Sequence, residues 1–451
     1  IVSDDLQPGR QEGEVGAWKP PRELVLASAG SGKTYRLSTR IIELLARNVP
    51  GEEILASTFT RKAAGEIHDR VLTRLAAAAT DPDLAQELAD ATGHCPSGDP
   101  RDTGPWIGLL GSLLPRLHRL RVGTLDAFLV RLALCFGHEL GLPPGWGVGD
   151  EASLARFRSD TLDDVLAASD RGIMVELLRA AHRGEVIRDV HARLSAQVDG
   201  LQEILRQGVD GGRAIWAPPL EIPDIEAERA RELGQSLAER LLSLDPPPDA
   251  TKVNPNPKWE APMAALAEAL RDGDWKAFVK SPLISRTLTD GFPYYSSRPT
   301  EEMAEILGHA MDLARSQVGA ALKRQAASLG RLARLHDEAH EARIRSTGLL
   351  RFGDVTHRVR GLEGKASMAS MLFRLDARYK HLLLDEFQDT SLSQWEALRP
   401  LAQRTLQDPE QARSTVIVAD PKQSIYGWRN ARPQLAGGVG EEFEMERKDL
   451  D

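Results

Sequence analysis

Residues 27–34 read Ala27-Ser28-Ala29-Gly30-Ser31-Gly32-Lys33-Thr34, a glycine-rich loop of the Walker A pattern with Ala27 where a first glycine often stands. Between a strand and a helix, such a loop turns successive backbone N–H groups toward one point. The helix N-terminus adds about half a positive charge, and together they cradle an anion. Gly30 and Gly32 allow the tight backbone, Lys33 is placed to reach the β and γ phosphates, and the Thr34 hydroxyl to ligate Mg²⁺. A nucleotide with Mg²⁺ is therefore the expected ligand. The plainer alternative is a glycine-rich helix cap formed by chance, which the surrounding strand and helix pattern disfavours.

A second group supplies the other half of a hydrolytic site. Asp385-Glu386 follows the apolar run His381-Leu382-Leu383-Leu384. A carboxylate at a strand's C-terminal end can hold the metal's water shell while its neighbour polarises the attacking water. Further along, Tyr426 and Trp428 stand two apart in a chain with only 5% aromatic residues, beside Gln423 and Arg429. Aromatic faces accept any base by stacking, worth roughly 1–3 kcal/mol each, which suits a protein that holds a single strand without reading its sequence. Core packing is the alternative for both rings.

Positioning these groups requires parallel strands. Residues 23–28 read as a short buried strand, and from Lys33 the apolar Leu37, Ile41, Leu44 and Leu45 fall at helical spacing. The strand signal repeats at 53–58 and is followed by an Ala/Leu/Arg helix over 63–79. Residues 81–105, rich in Asp, Gly and Pro, read as a loop-rich insertion, with a helix over 106–120 and then 121–124 entering another. From 151 to 345 the pattern is largely helical, with turn-rich breaks. Apolar runs ending in Asp385-Glu386 and Asp420-Pro421 restore the strand signal. Two α/β stretches flanking a helical block are most simply one parallel sheet with that block inserted. The phosphate loop and the acidic pair are then expected at neighbouring strand ends, with the Tyr426/Trp428 platform close behind.

Composition narrows the class. The 451 residues, at roughly 150 per domain, predict about three domains, and 41% apolar content suffices for buried cores. A net charge of −9 excludes a polycation that coats nucleic acid, so any nucleic-acid site must be a local groove. Two cysteines, Cys95 and Cys135, make no disulfide framework and point to a reducing compartment. No run approaches the roughly 20 apolar residues a membrane span needs. A cytoplasmic enzyme without a membrane segment is expected.

Five segments in order carry a resemblance: the phosphate loop; Thr58-Phe59-Thr60-Arg61-Lys62-Ala63-Ala64; Val122-Gly123-Thr124-Leu125-Asp126-Ala127-Phe128; Asp385-Glu386-Phe387-Gln388-Asp389-Thr390; and Asp420-Pro421-Lys422-Gln423-Ser424-Ile425-Tyr426-Gly427-Trp428-Arg429. They look like motifs I, Ia, Ib, II and III of superfamily 1 DNA helicases of the UvrD/RecB/AddA type. The form of the fourth segment and the lack of an upstream glutamine motif lean toward the RecB/AddA helicase–nuclease branch. The resemblance spans residues 24–432. It implies an α/β fold, a RecA-like P-loop NTPase lobe with a parallel sheet and a large inserted, mostly helical subdomain. The lobe would comprise 1–150 and 346–451, the insert 151–345. Leu349 to Asp354 resembles the segment where the chain re-enters the lobe, with Asp354 structural.

Carried over residue by residue, the resemblance assigns Lys33 and Thr34 to phosphate and Mg²⁺, Asp385 to Mg²⁺, Glu386 to the general base, and Gln423 to the γ-phosphate or the attacking water. Phe59, Tyr426 and Trp428 match positions that line base pockets on single-stranded DNA, and Thr58, Thr60 and Thr124 match positions near its backbone. The implied function is ATP-driven translocation along single-stranded DNA toward duplex junctions, in repair or recombination, with a helicase–nuclease partner subunit.

Three positions depart from the family pattern. Asp126 stands where His is usual and sets a negative charge near the DNA path unless it is paired. Tyr35 stands where Arg is common, so adenine is expected to stack on an aromatic ring. Only 22 residues follow Arg429, and nothing resembles motifs IV to VI or a second RecA-like lobe. The 451 residues therefore read as the N-terminal part of a helicase or the product of a truncated gene. The rival readings are a non-catalytic ATP- and DNA-binding module and a P-loop enzyme of another class, such as a small-molecule kinase.

Overall fold

The computed structural model describes residues 18–28, 32–168, 198, 200–206, 222, 225–249, 254–289, 291–362, 364, 367–375, 378–424 and 431–450. By Cα packing the chain divides into two compact units, 1–154 with 344–451, and 155–343.

In the first unit, β1 (Arg22–Ala27) leads to α1 (Lys33–Ala46), β2 (Ile54–Thr58) to α2 (Arg61–Thr80), and β3 (Arg121–Thr124) to α5 (Leu125–Cys135). Between α2 and β3 lie α3 (Pro82–Thr92) and α4 (Gly104–Leu113). After the second unit the chain returns through α12 (Phe352–Arg360), α13 (Met368–Arg374), β6 (His381–Leu384), α14 (Leu392–Leu406), β7 (Ser414–Ala419), α15 (Leu435–Glu442) and β8 (Glu446–Leu450).

The six strands form one sheet in the order β3-β2-β6-β7-β1-β8, and every pair in it is parallel. All C-terminal strand ends therefore share one edge, where open α/β sheets bind ligands. Val25, Ala27, Ile54, Ala56, Leu383, Val416 and Val418 form a single core with the apolar stripe of α1, including Leu37, Ile41, Leu44 and Leu45. Helix α12 packs against α5 and α14, and α14 against β6 and β7. The exit and return of the chain are joined by a short parallel pair, β4 (Gly147–Val148) with β5 (Leu349–Leu350). Asp354, just beyond β5, is buried and accepts from the Arg351 backbone N–H at 2.8 Å, which closes the first turn of α12.

Four features differ from the sequence reading. Residues 81–105 are not all loop: the Asp81 carboxylate accepts from the N–H of Asp83 at 2.8 Å, Pro82 occupies the first turn, and Ala85, Leu88 and Ala89 are buried at helical spacing. Asp and Pro there begin α3 rather than interrupt a chain. The helix expected over 106–120 gives way after Leu113 to a 3₁₀ turn over Leu114–Arg119, with Pro115 in its first turn. Strand β8 has no counterpart in the sequence reading, since its Glu-Arg-Lys-Asp-Leu run shows no apolar alternation. It joins the edge through backbone pairing with β1 and through Lys448, whose Nζ lies 2.7 Å from the buried Glu23 carboxylate. Finally, β1 and β6 are not neighbours, because β7 lies between them.

The second unit is helical. Helix α6 (Glu151–Ala168) begins before its boundary, and α7 (Ala227–Ser243), α8 (Glu260–Asp272), α9 (Trp275–Lys280) and α10 (Pro282–Leu288) follow. The 47-residue α11 (Glu301–Thr347) then runs out of the unit. Trp259, Leu266, Phe278, Leu283, Ile306 and Leu313 share one buried core. Gly234 lets α7 approach α8 closely, since a Cβ there would stand 2.6 Å from the Leu270 carbonyl oxygen. The arginines 324, 331, 334, 343 and 345 lie on α11, and Arg343 bridges Asp160 at 2.9 Å and Asp164 at 2.5 Å.

His381 opens β6 in register with Ser414 of β7, its Nδ1 2.8 Å from the Ser414 hydroxyl. Burial, helped by the Lys380 charge, holds its pKa down at about 4. The folded chain thus refuses a proton that the unfolded chain takes up below about pH 6.5. The contribution of His381 to stability is expected to be complete above that pH and to fall by about 1.4 kcal/mol per unit as pH drops toward 4. Urea unfolding of wild type and His381→Gln across this range checks it: the stability difference between them should change by that amount per pH unit, and a pH-independent difference would contradict the assignment.

Candidate active site

Helix α1 starts at the glycine-rich loop. Gly32 has φ +82°, the left-handed conformation that disfavours a side chain, and its carbonyl accepts from Arg36 N–H at 2.9 Å. Of the predicted phosphate loop, Ala27 is buried at the end of β1, Ser28 is half-buried, and its N–H donates to the Leu450 carbonyl at 3.3 Å. Ala29, Gly30 and Ser31 lie outside the described residues. Lys33 and Thr34 form the first turn of α1, which has no side-chain cap. Its early N–H groups are the unsatisfied donors that a helix offers an anion.

The Lys33 side chain crosses the end of β7. Its Nζ lies 3.5 Å from Asp420 Oδ2 and 3.8 Å from Glu386 Oε2, is buried, and has no hydrogen-bond partner. Here the sheet corrects the expectation of adjacent strand ends. The long lysine stem bridges the intervening strand, and Asp420, at the end of β7, joins the site. One amide links the two acidic segments: buried Gln388 donates from Nε2 to Glu386 Oε2 and accepts from Asp420 N–H at 2.8 Å. Gln423 donates to Asp420 Oδ2 at 2.5 Å. Glu386 has φ +51°, unusual for a residue with a side chain. Gln388 and Asp420 are site residues that the sequence reading misses. Both stand inside segments quoted above but without a task there, and the three-dimensional structure shows that they meet.

Asp385 is 7% exposed, and its Oδ1 has no hydrogen-bond partner. Burial first, then the neighbouring Glu386 charge, push its carboxyl up to about 7, against a smaller opposing pull from the Glu386 backbone and Lys33. Two carboxylates therefore flank a single ammonium with a third, buried carboxyl close by, an arrangement that attracts further positive charge. Mg²⁺ takes one or two carboxylates plus substrate phosphates and keeps several waters. An orphaned, buried carboxylate oxygen at a strand end fits that donor set, with Asp385 and the Thr34 hydroxyl as the protein donors.

The residues expected on DNA divide. Thr60 caps α2, accepting from Ala63 N–H at 3.1 Å, and Thr124 caps α5, accepting from Ala127 N–H at 3.2 Å. Each hydroxyl keeps its own hydrogen to donate. They stand at the ends of paired strands β2 and β3, so two helix N-termini meet one edge. Phe59 is half-buried and lines a small cavity, about 10 Å³, with Ser57, Thr58, Leu125, Asp385 and Glu386. Thr58 differs from expectation: it is 2% exposed, too buried for a polynucleotide to reach. Tyr426 and Trp428, with Arg429, lie outside the described residues. Asp126 is paired, accepting from Gln394 Nε2 at 2.7 Å. Tyr35 remains 39% exposed with the Arg74 guanidinium 4.0 Å over its ring.

The family model described as UvrD/REP helicase N-terminal domain matches residues 21–444. The chain belongs to the UvrD/REP helicase family. Its relatives include proteins named as one subunit of an ATP-dependent helicase/nuclease. The one from Lysinibacillus sphaericus is 24% identical over 91% of this chain and 35% of its own length. Those from Heliobacterium modesticaldum and Lacticaseibacillus casei are 26% and 27% identical, covering 91% of this chain and 32% and 34% of theirs. The chain thus spans about a third of the length of these relatives. For a UvrD/REP helicase, the mixed sheet-and-helix architecture is the expected one, and no described helix is long and apolar enough to cross a membrane.

The charge trapped at Asp385 has a cost in stability. Its carboxyl titrates higher in the folded chain than in the unfolded one, so the folded state binds the extra proton between about pH 4 and 7, and this carboxyl's contribution to stability falls as pH rises through that window. Asp385→Asn should therefore be more stable than wild type at pH 8, by a few kcal/mol at most, with the difference closing toward pH 4. Denaturant titration at the two pH values measures it; equal stabilities at pH 8 would count against a strained carboxylate.

Proposed function

We propose that this chain is the ATP-binding and strand-gripping lobe of a DNA helicase motor that moves along single-stranded DNA. In this reading it serves repair or recombination in the manner of the helicase–nuclease branch. The observation that carries the reading is Lys33, held between Glu386 and Asp420 at the shared edge of the parallel sheet. A triphosphate entering the loop offers Lys33 a stronger anionic partner than either carboxylate, freeing both for other work.

Each residue then has a task. Lys33 and the α1 N-terminus hold the β and γ phosphates, while Asp385 and Thr34 hold Mg²⁺, which supplies charge neutralisation on the transferred phosphoryl group. Glu386 accepts the proton of the attacking water. Gln423, now on Asp420, turns toward the γ-phosphate, so that loss of phosphate is felt along the segment leading to Tyr426 and Trp428. Exposed Tyr35 offers its ring to adenine. Thr60 and Thr124, with the N-termini of α2 and α5, hold the DNA backbone, and Phe59 takes a base. In a two-lobed motor the second lobe lends arginines worth about 10³–10⁵ in rate, so the 451 residues alone are expected to bind ATP and turn it over slowly. A partner protein fits relatives that are themselves named as subunits.

Lys33→Ala should weaken ATP binding at least tenfold in an equilibrium titration. Glu386→Gln should bind ATP within about twofold of wild type yet lose about 100-fold or more of the phosphate release stimulated by a single-stranded oligonucleotide. Turnover indifferent to the oligonucleotide would instead favour a P-loop enzyme of another class, and DNA binding with no hydrolysis at all a binding module.

A further inference from the structure

Thr58 is a buried residue that the motor reading leaves without a task. In β2 the side chains of Ile54 and Ala56 join the core under α1, as does Leu383 of β6. Strand side chains alternate between faces, so Thr58 and Asp385 continue on that same face. The register pairs Ser57 with Leu384, and Asp385 N–H donates to the Ser57 carbonyl at 2.8 Å, which brings the next two residues side by side, their strands about 5 Å apart. Thr58 and Asp385 line the same cavity. Thr58 is 2% and Asp385 7% exposed, and Thr58 Oγ1 and Asp385 Oδ1 are both buried without a hydrogen-bond partner. Buried hydroxyls and carboxylates seldom stay unsatisfied. Two such atoms on one face of adjacent strands are placed to share one neighbour.

We propose that Thr58 is a positioning residue for the metal site: its hydroxyl, together with Asp385, holds a water of the Mg²⁺ shell and so sets the carboxylate's orientation. This rests on the nucleotide site proposed above. Thr58 immediately precedes Phe59 and Thr60, the residues proposed to meet DNA, so a shift in either would be felt at the metal through one or two peptide units. The assignment moves Thr58 from the polynucleotide to the nucleotide.

The experiment uses Thr58→Val, which keeps shape and removes the hydroxyl, and Thr58→Ser, which keeps the hydroxyl. Binding of a non-hydrolysable ATP analogue to the 451-residue chain is titrated with and without Mg²⁺, alongside binding of a single-stranded oligonucleotide. Wild type and Thr58→Ser should bind the analogue more tightly with Mg²⁺. Thr58→Val should lose at least fivefold of that Mg²⁺ enhancement, with metal-free analogue affinity and oligonucleotide affinity within twofold of wild type. A merely structural role would lower urea stability and both affinities together, and would overturn the proposal. So would a wild-type Mg²⁺ response in Thr58→Val, or a loss confined to the oligonucleotide. If the wild type shows no Mg²⁺-dependent binding, the nucleotide site itself fails, an outcome separate from failure of Thr58→Val alone.

Discussion

Parallel strands cannot be joined by hairpins, so each strand of this sheet must be followed by a crossover before the next begins. That constraint sends every C-terminal strand end to one edge. The loop after β1, the segment after β2, the turn into α5, the acidic pair after β6 and the residue closing β7 all emerge there. Groups separated by hundreds of residues become neighbours without any special contact to recruit them. The chain leaves for the helical unit and returns from it beside the short β4/β5 pair.

What the edge assembles is costly to fold. Two carboxylates flank one ammonium, a third carboxyl close by is buried with an orphaned oxygen, and the Glu386 backbone is left-handed. None of this is needed to close the core, which Val25, Ile41, Ala56 and Leu383 already fill from both sides. Unsatisfied charge and backbone strain of this kind concentrate where a ligand completes the set. Gln388 keeps the arrangement from relaxing, because its one amide fixes Glu386 and the Asp420 backbone at once.

The segment Thr58-Phe59-Thr60 shows how closely the two proposed ligand sites are tied. Thr58 faces the buried side with Asp385, Phe59 lines the cavity beside it, and Thr60 is exposed and caps α2. Three consecutive residues therefore run from the acidic site to an exposed helix N-terminus. In a motor, a span this short leaves little slack between what happens to phosphate and what happens to a bound strand.

The sequence by itself determined the class of fold and the location of the chemistry along the chain. Short apolar runs ending in Gly-Lys-Thr or Asp-Glu are local signals, and the parallel sheet follows from alternating strands and helices. Some local signals misled for local reasons: Asp81 and Pro82 resemble a loop because the residues that begin a helix also make turns. Other facts could be decided only in three dimensions. The charged strand β8 exists because β1 offers it an unpaired edge, Asp126 is hydrogen-bonded by Gln394 from 268 positions away, and β7 separates β1 from β6. Thr58 faces inward because strand alternation has a fixed period but no fixed sign; which face is buried depends on the helices that pack against the sheet.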